Sequence, residues 1–188
     1  MPKSIIINFL LFQLGWFACV LGGAYNQVLI GSIIVILVIT YHFYRANDAK
    51  RELFLLTIAL IIGFIFESIV TAQGLAQYEH GQVFSVIAPL WMILMWPLFA
   101  TTLNLSMRWL KSITPLLASL FGAIFAPLAY YAGNKLGAVE YDNLTLSLSI
   151  IAIAWAALLP ILITFSMKFD GYRDCNIKVD SNEVTQHV

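Results

Sequence analysis

Glu67 is the residue whose type and setting most strongly indicate chemistry, because it places a carboxyl group deep inside an apolar segment. An ionised carboxylate without a partner costs several kcal/mol in hydrocarbon. No lysine or arginine falls at the same predicted depth, so we expect a largely neutral acid that faces the interior of a helix bundle. Such a carboxyl predicts a functional site, and the alternative is an interhelical hydrogen bond that fixes helix register.

Three further side chains are predicted to lie at the depth of Glu67. Counting about 1.5 Å per residue along each helix brings Trp91, Tyr130 and Ser149 to the outer half of the membrane. Tyr130 or Ser149 could donate a hydrogen bond to Glu67, and Trp91 and Tyr130 would form the wall of a binding pocket. Aromatic residues also collect at membrane interfaces, which is the alternative interpretation of Trp91 and Tyr130.

A second set of residues is predicted to hold the helices together. Membrane helices associate through close packing of small residues and a few polar contacts, because lipid is as apolar as leucine. The residues assigned to this structural role are Asn8, Gln13, Gly15, Cys19, Asn104 and Gly122. Small residues recur at four-residue spacing in the first and fifth apolar segments, so these two segments and the sixth are predicted to form the tight centre.

Several kinds of catalytic or metal site have no counterpart in the sequence. The three histidines are assigned to a helix end, a loop and the tail, so we predict no metal site. We find no glycine-rich phosphate loop, no Gly-x-Ser-x-Gly motif and no second buried carboxylate beside Glu67. The sequence therefore predicts no cofactor, and it favours a protein that is not an enzyme.

The composition predicts the type of helix that carries these residues, because few residues of the chain are charged. Of the 188 residues, 61% are hydrophobic and 11% are charged, whereas ordinary soluble domains have about 45–50% and about 25%. The mean hydropathy is +0.86, and ten basic residues balance ten acidic ones. This composition excludes a disordered chain, a disulfide scaffold and a nucleic-acid partner, and it indicates an integral membrane protein.

Six apolar segments are long enough to cross about 30 Å of hydrocarbon as helices. They are predicted at residues 4–24, 28–44, 53–73, 87–105, 113–132 and 144–166. The fold class is therefore an all-α, polytopic bundle of six transmembrane helices over residues 1–166. A polar tail follows over residues 167–188, and its composition predicts disorder.

The basic residues predict the orientation of the bundle. Nine of the ten fall on one side of the predicted membrane, and Lys135 alone falls on the other. Because cytoplasmic loops collect lysine and arginine, both termini are expected to be cytoplasmic. A cleaved signal peptide is a competing interpretation of residues 1–24. We expect a retained helix, because its apolar run exceeds the usual 7–15 residues and contains Asn8 and Gln13.

Three stretches carry a resemblance to a known family. They are NFLLFQLGWFACVLGGA (residues 8–24), APLWMILMWPLFATTLNLSMRWL (residues 88–110) and GAIFAPLAYYAGNKLGA (residues 122–138). Together they resemble a family of bacterial inner-membrane proteins defined by a domain of unknown function, over most of the chain except the tail. The resemblance implies a multi-pass protein of the bacterial inner membrane. It also implies gene neighbours that modify lipids, including cyclopropane-fatty-acid-synthase-like proteins, and therefore favours envelope lipid chemistry or its support.

These observations lead to three hypotheses of function. The first is a protein that binds or moves an apolar or lipid-like molecule in an outer-leaflet pocket around Glu67. The second is a non-catalytic accessory or scaffold subunit, whose partner would be an envelope lipid-modifying enzyme. The third is a membrane-embedded lipid-modifying enzyme. In all three the lipid bilayer is a partner, and a lipid or small apolar ligand is expected in the first.

Overall fold

The computed structural model describes residues 3–173, which fold into six α-helices and one short 3-10 helix. The α-helices are α1 (Lys3–Ala24), α2 (Val28–Arg45), α3 (Ala49–Ala72), α4 (Leu90–Leu103), α5 (Pro115–Lys135) and α6 (Leu144–Lys168), and the 3-10 helix spans Arg108–Ser112. Within that described range, β-pairing is limited to one isolated antiparallel bridge between Gln77 and Glu140. The predicted all-α class is confirmed.

Five of the six described α-helices are long and apolar enough to cross a membrane, and α4 is a shorter apolar helix. Helix α4 has 14 residues and is therefore about 21 Å long, which is shorter than the segment predicted over residues 87–105. It begins after Pro89, which lacks a backbone N–H and suits a helix start. It ends at Leu103, where turns lead into the 3-10 helix. The chain is a multi-pass helical bundle of the kind found in membranes.

Side-chain caps set the starts of three helices. The Asp48 carboxylate accepts hydrogen bonds from the backbone N–H groups of Lys50 and Arg51, at 3.1 and 3.2 Å. Helix α3 therefore begins at Ala49, four residues before the predicted segment, and Glu52 lies inside the helix. Thr114 and Asn143 cap α5 and α6 in the same way.

Helix α4 occupies the centre of the bundle, where it packs against α1, α2 and α3. This corrects the prediction that the first, fifth and sixth helices form the tight centre. The small residues of the outer helices instead receive the large side chains of α4. A Cβ atom at Gly15 would lie 2.8 Å from the side chain of Leu98, and one at Gly63 would lie 2.2 Å from that of Trp96.

Helices α5 and α6 form a hairpin at one side of the bundle. A Cβ atom at Gly122 would lie 2.1 Å from the carbonyl oxygen of Trp155, so the two backbones touch at this point. Among the described helices, α6 is the only one that α5 packs against extensively. A gap therefore remains between α5 and the helices α1 and α4.

The segment that follows α6 packs against the end of the bundle that carries Lys3, Arg45 and Arg108, which we call the basic end. The backbone N–H of Gly171 donates to Glu52 at 2.7 Å, and the Tyr172 hydroxyl donates to the carbonyl oxygen of His42 at 2.6 Å. This corrects the predicted start of the disordered tail, because residues 170–172 satisfy buried polar groups of the bundle. The predicted disorder of residues 174–188 lies outside the described residues.

Candidate binding site around Glu67

The Glu67 carboxyl is completely buried in α3, with an exposed fraction of 0%. Its Oε1 atom accepts a hydrogen bond from Trp96 Nε1 at 2.9 Å and another from the Tyr130 hydroxyl. Its Oε2 atom has no hydrogen-bond partner among the described residues, and no cation within residues 3–173 pairs with it. The carboxyl group is therefore half satisfied.

Close helix packing brings Trp96 to the carboxyl group. Gly63 lies one turn before Glu67 on the same face of α3, and the indole of Trp96 fills the space where a side chain would be. The Trp96 ring also stacks on Trp155 of α6, with centroids 4.8 Å apart and an interplanar angle of 27°. Helices α3, α4 and α6 are joined through these rings, which fixes the direction of the Trp96 N–H.

A cavity of about 270 Å³ lies beside Glu67, in the gap that separates α5 from α1 and α4. Its wall is almost entirely apolar, with aromatic and methionine side chains such as Phe12, Trp16, Met95 and Phe125. Trp155 also lines the cavity, and its buried Nε1 atom has no partner among the described residues. Glu67 and Trp155 therefore both border a largely apolar cavity, and each carries a buried polar atom without a partner among the described residues, Oε2 and Nε1.

Two tyrosines from the loops, buried Tyr78 and half-buried Tyr141, lie at the far end of the bundle, opposite the basic end. Burial raises the pKa of the Tyr78 hydroxyl well above its ordinary value, and the Glu67 carboxyl raises it further. Burial and then Glu67 also raise the pKa of Tyr141. Both hydroxyls are therefore neutral at physiological pH. Neither hydroxyl oxygen has a hydrogen-bond partner that meets the geometric criteria among the described residues.

The two unsatisfied atoms beside the cavity differ in the hydrogen bonds that they can make. Trp155 Nε1 can only donate a hydrogen bond. Glu67 Oε2 accepts when the carboxyl is ionised and donates when it is neutral. A hydroxyl group both donates and accepts, so it has the hydrogen-bonding capacity that each of the two atoms requires in either protonation state of Glu67.

The structure brings together part of the predicted binding set. Tyr130 contacts Glu67, and Trp91 lines the same cavity, although its Nε1 atom points to the carbonyl oxygen of His80 at 3.4 Å. Ser149 lies apart from them. Its side chain is exposed, and its hydroxyl donates to the carbonyl oxygen of Thr145 one turn earlier in the same helix. The prediction of Ser149 as a binding residue is therefore wrong, because it lies on the outer surface of α6.

The residues predicted to hold the helices together lie mostly between helices. The Asn8 side chain donates to the carbonyl oxygen of Thr101 at 3.3 Å and accepts from the Ser106 hydroxyl at 2.6 Å, joining α1 to the end of α4. Asn104, Gly15, Cys19 and Gly122 are buried, and Gln13 is half-buried. Asn104 belongs to a larger polar network that the sequence pattern did not indicate.

The centre of that network is Glu52, whose carboxyl group is also 0% exposed. Its Oε2 atom lies 2.7 Å from His42 Nε2, and its Oε1 atom accepts from Asn104 Nδ2 at 2.6 Å and from the Gly171 N–H at 2.7 Å. Nearby, Asp170 pairs with Arg108 at 2.6 Å and with Lys111 at 2.9 Å. Every oxygen of the Glu52 carboxyl is satisfied.

Sequence reasoning missed Trp96, Trp155 and Glu52. Trp96 and Trp155 look like ordinary apolar helix residues, and no local pattern separates a donor to Glu67 from lipid-facing aromatic residues. Glu52 lies one residue before the predicted third segment, which starts at Leu53, and a polar residue at such a boundary does not indicate burial. The Asp48 cap is a signal that would have moved this start, since aspartate is a preferred residue before the first helical turn.

Comparison with known proteins identifies a family without assigning an activity. A family model described as "Protein of unknown function (DUF2878)" matches residues 5–161. The match confirms the resemblance to a domain of unknown function and covers Glu67, Trp96, Tyr130 and Trp155. The chain matches no curated protein and no solved structure.

Proposed function

Because the chain belongs to the DUF2878 family, for which no function is known, we propose from the site itself that the protein binds or moves an apolar or lipid-like molecule in the cavity beside Glu67. The observation that carries this proposal is the half-satisfied, fully buried carboxyl group at the wall of an apolar cavity. A buried polar group without a partner costs about 1–3 kcal/mol. A ligand that supplies the missing hydrogen bond recovers part of that energy on binding.

The composition of the wall supports an apolar ligand with one small polar group. Aromatic side chains offer large contact areas, and methionines adapt to irregular shapes. The unsatisfied Glu67 and Trp155 atoms suit a hydroxyl group. A volume of about 270 Å³ lies just below the range of about 300–1,000 Å³ that is common for ligand pockets, so it suits a small apolar molecule or part of a lipid chain.

The position of the cavity supports entry from the bilayer. It lies in the gap between α5 and the helices α1 and α4, and α5 is held mainly by α6. An apolar molecule already partitions into lipid, so a path between α1 and α5 spares it a passage through water. The resemblance to bacterial inner-membrane proteins supports the proposal that this bilayer is the bacterial inner membrane.

The proposal is tested by native mass spectrometry of the protein purified in a mild detergent. We expect a small apolar molecule or lipid to remain bound to the unmodified protein. Glu67→Ala and Glu67→Gln should each lower the bound fraction, and Trp155→Phe should do so while keeping an aromatic ring on Trp96. Loss of one hydrogen bond in a dry site corresponds to about a tenfold change in affinity.

The matched control is Glu79→Gln, which neutralises an exposed acid in a loop. It should leave the bound fraction unchanged. Thermal unfolding of each variant separates a loss of ligand from a loss of fold. If both Glu67 variants keep the bound molecule and unfold normally, the cavity is not the binding site.

The same measurement separates the two other hypotheses. An accessory subunit for an envelope lipid-modifying enzyme would retain a partner protein rather than a small molecule. A membrane-embedded enzyme needs a second reacting group beside Glu67, and the side chains in hydrogen-bond contact with that carboxyl are Trp96 and Tyr130. A separate assay would measure conversion of the bound molecule. If Tyr130→Phe retained binding but lost this conversion, the hypothesis of a membrane-embedded enzyme would be favoured.

A further inference from the structure

A second recess, separate from the Glu67 cavity, opens at the basic end of the bundle. It has a volume of about 650 Å³ and lies between the start of α1, the end of α2, the turn after α4 and Tyr172. Three cationic residues line it, namely Lys3, Arg45 and Arg108, and within residues 3–173 no acidic side chain does. We call this recess the basic cleft.

The neighbouring acids leave the basic cleft with an excess of positive charge. Asp170 is shared between Arg108 and Lys111, so it neutralises only one of these two cations. Glu52 is buried behind the cleft, where His42, Asn104 and Gly171 use its oxygens. Lys3 and Arg45 form no ion pair within residues 3–173.

The start of α1 also borders the basic cleft. Lys3, Ser4 and Ile5 of this helix line it. The dipole of an α-helix is positive toward its N-terminal end. The cleft therefore offers the side chains of Lys3, Arg45 and Arg108 to an anion near the positive end of a helix dipole.

We propose that the basic cleft binds a phosphate-bearing anion, supplied either by the headgroup of an anionic phospholipid or by a soluble phosphate ester. Basic pockets between transmembrane helices on the cytoplasmic side are suited to anionic headgroups, and the sequence predicts that the basic end is cytoplasmic. A volume of about 650 Å³ accommodates a phosphate together with the group esterified to it. This site is independent of the Glu67 cavity.

The test is a titration of the full chain in a non-ionic detergent, followed by native mass spectrometry. Short-chain phosphatidylglycerol is the anionic lipid probe, short-chain phosphatidylcholine is the zwitterionic lipid probe, and glycerol 3-phosphate is the soluble probe. We expect binding of phosphatidylglycerol in preference to phosphatidylcholine. The double variant with Lys3→Gln and Arg45→Gln should weaken that binding about tenfold or more, because each cation near an anionic headgroup contributes roughly a fourfold to sixfold factor.

The matched control is Lys50→Gln, which removes an exposed cation at the same end but outside the cleft. It should change the affinity less than twofold. Binding of phosphatidylglycerol alone assigns a lipid headgroup, whereas displacement of the lipid by glycerol 3-phosphate assigns a soluble phosphate ester. Equal binding of the two lipids, or an equal loss in Lys50→Gln and the double variant, would overturn the proposal.

Discussion

Glu52 and Glu67 are buried acids on the same helix, and their surroundings are opposite. They lie 15 residues apart in the sequence, which is about 22 Å along α3. The Glu52 oxygens contact a histidine, an amide and a backbone N–H, whereas within residues 3–173 Glu67 has two partners on Oε1 and none on Oε2. The first carboxyl is fully satisfied, and the second leaves one position open.

The number of satisfied oxygens distinguishes an acid with a structural role from an acid that can bind a ligand. A fully satisfied carboxyl has nothing left to offer a ligand, and its removal breaks contacts between four parts of the chain. A half-satisfied carboxyl beside a cavity is costly to the fold and useful only when a ligand completes it.

The two sites also differ in their relation to the family, because residues 170–172 lie beyond the matched range 5–161 and the partners of Glu67 lie within it.

Glu52→Ala should have the largest effect on stability. It leaves His42 and Asn104 buried without their partner and releases Gly171, so we expect the free energy of unfolding to fall by about 3–5 kcal/mol. Thermal or denaturant unfolding in detergent measures this change, and Glu79→Ala serves as the exposed control. A loss no greater than that of the control would remove the distinction between the two acids.

Gly63→Ala should have an intermediate effect and act at the Glu67 site. The new methyl group would overlap the Trp96 side chain, so Trp96 must move away from Glu67, at a cost of about 1–3 kcal/mol. Native mass spectrometry should show a lower fraction of bound molecule. Thr57→Ala is the control, because it changes an exposed side chain of the same helix that does not line the cavity. Equal ligand retention in both variants would argue against a role for Trp96.

Ser149→Ala should have the smallest effect. The hydroxyl is exposed and bonds only to its own helix, so the free energy of unfolding should change by less than about 0.5 kcal/mol. The fraction of bound molecule should equal that of the unmodified protein. A clear loss of binding would place Ser149 near the ligand and would require a different arrangement of α6.

Hydropathy predicted the helices because each must cover its own backbone with apolar side chains to lie in lipid. It also singled out Glu67, since a charge inside an apolar run is visible without any tertiary information. The central position of α4 was not visible, because it depends on which helix supplies the space for a large side chain. Gly63 and Trp96 are separated by 33 positions, and neither residue alone indicates the other.

Glu52 shows the same limit at a helix boundary. Its partners come from α2, from the residue after α4 and from the segment after α6. A polar residue near a helix end is usually solvated, so only the assembled bundle reveals that this one is buried. Ser149 is the reverse case, because a match in predicted depth gives no information about the direction of the side chain.

The unequal anchoring of α3 and α5 has a consequence for the response to membrane thickness. Helix α3 is fixed at the basic end through Glu52, so the distance of Glu67 from that end is set by the protein. Helix α5 rests mainly on α6. A change in hydrocarbon thickness is accommodated by tilting helices, and we expect α5 to tilt before α3. The length of the surrounding acyl chains then controls the width of the cavity while the acid at its wall stays at constant depth.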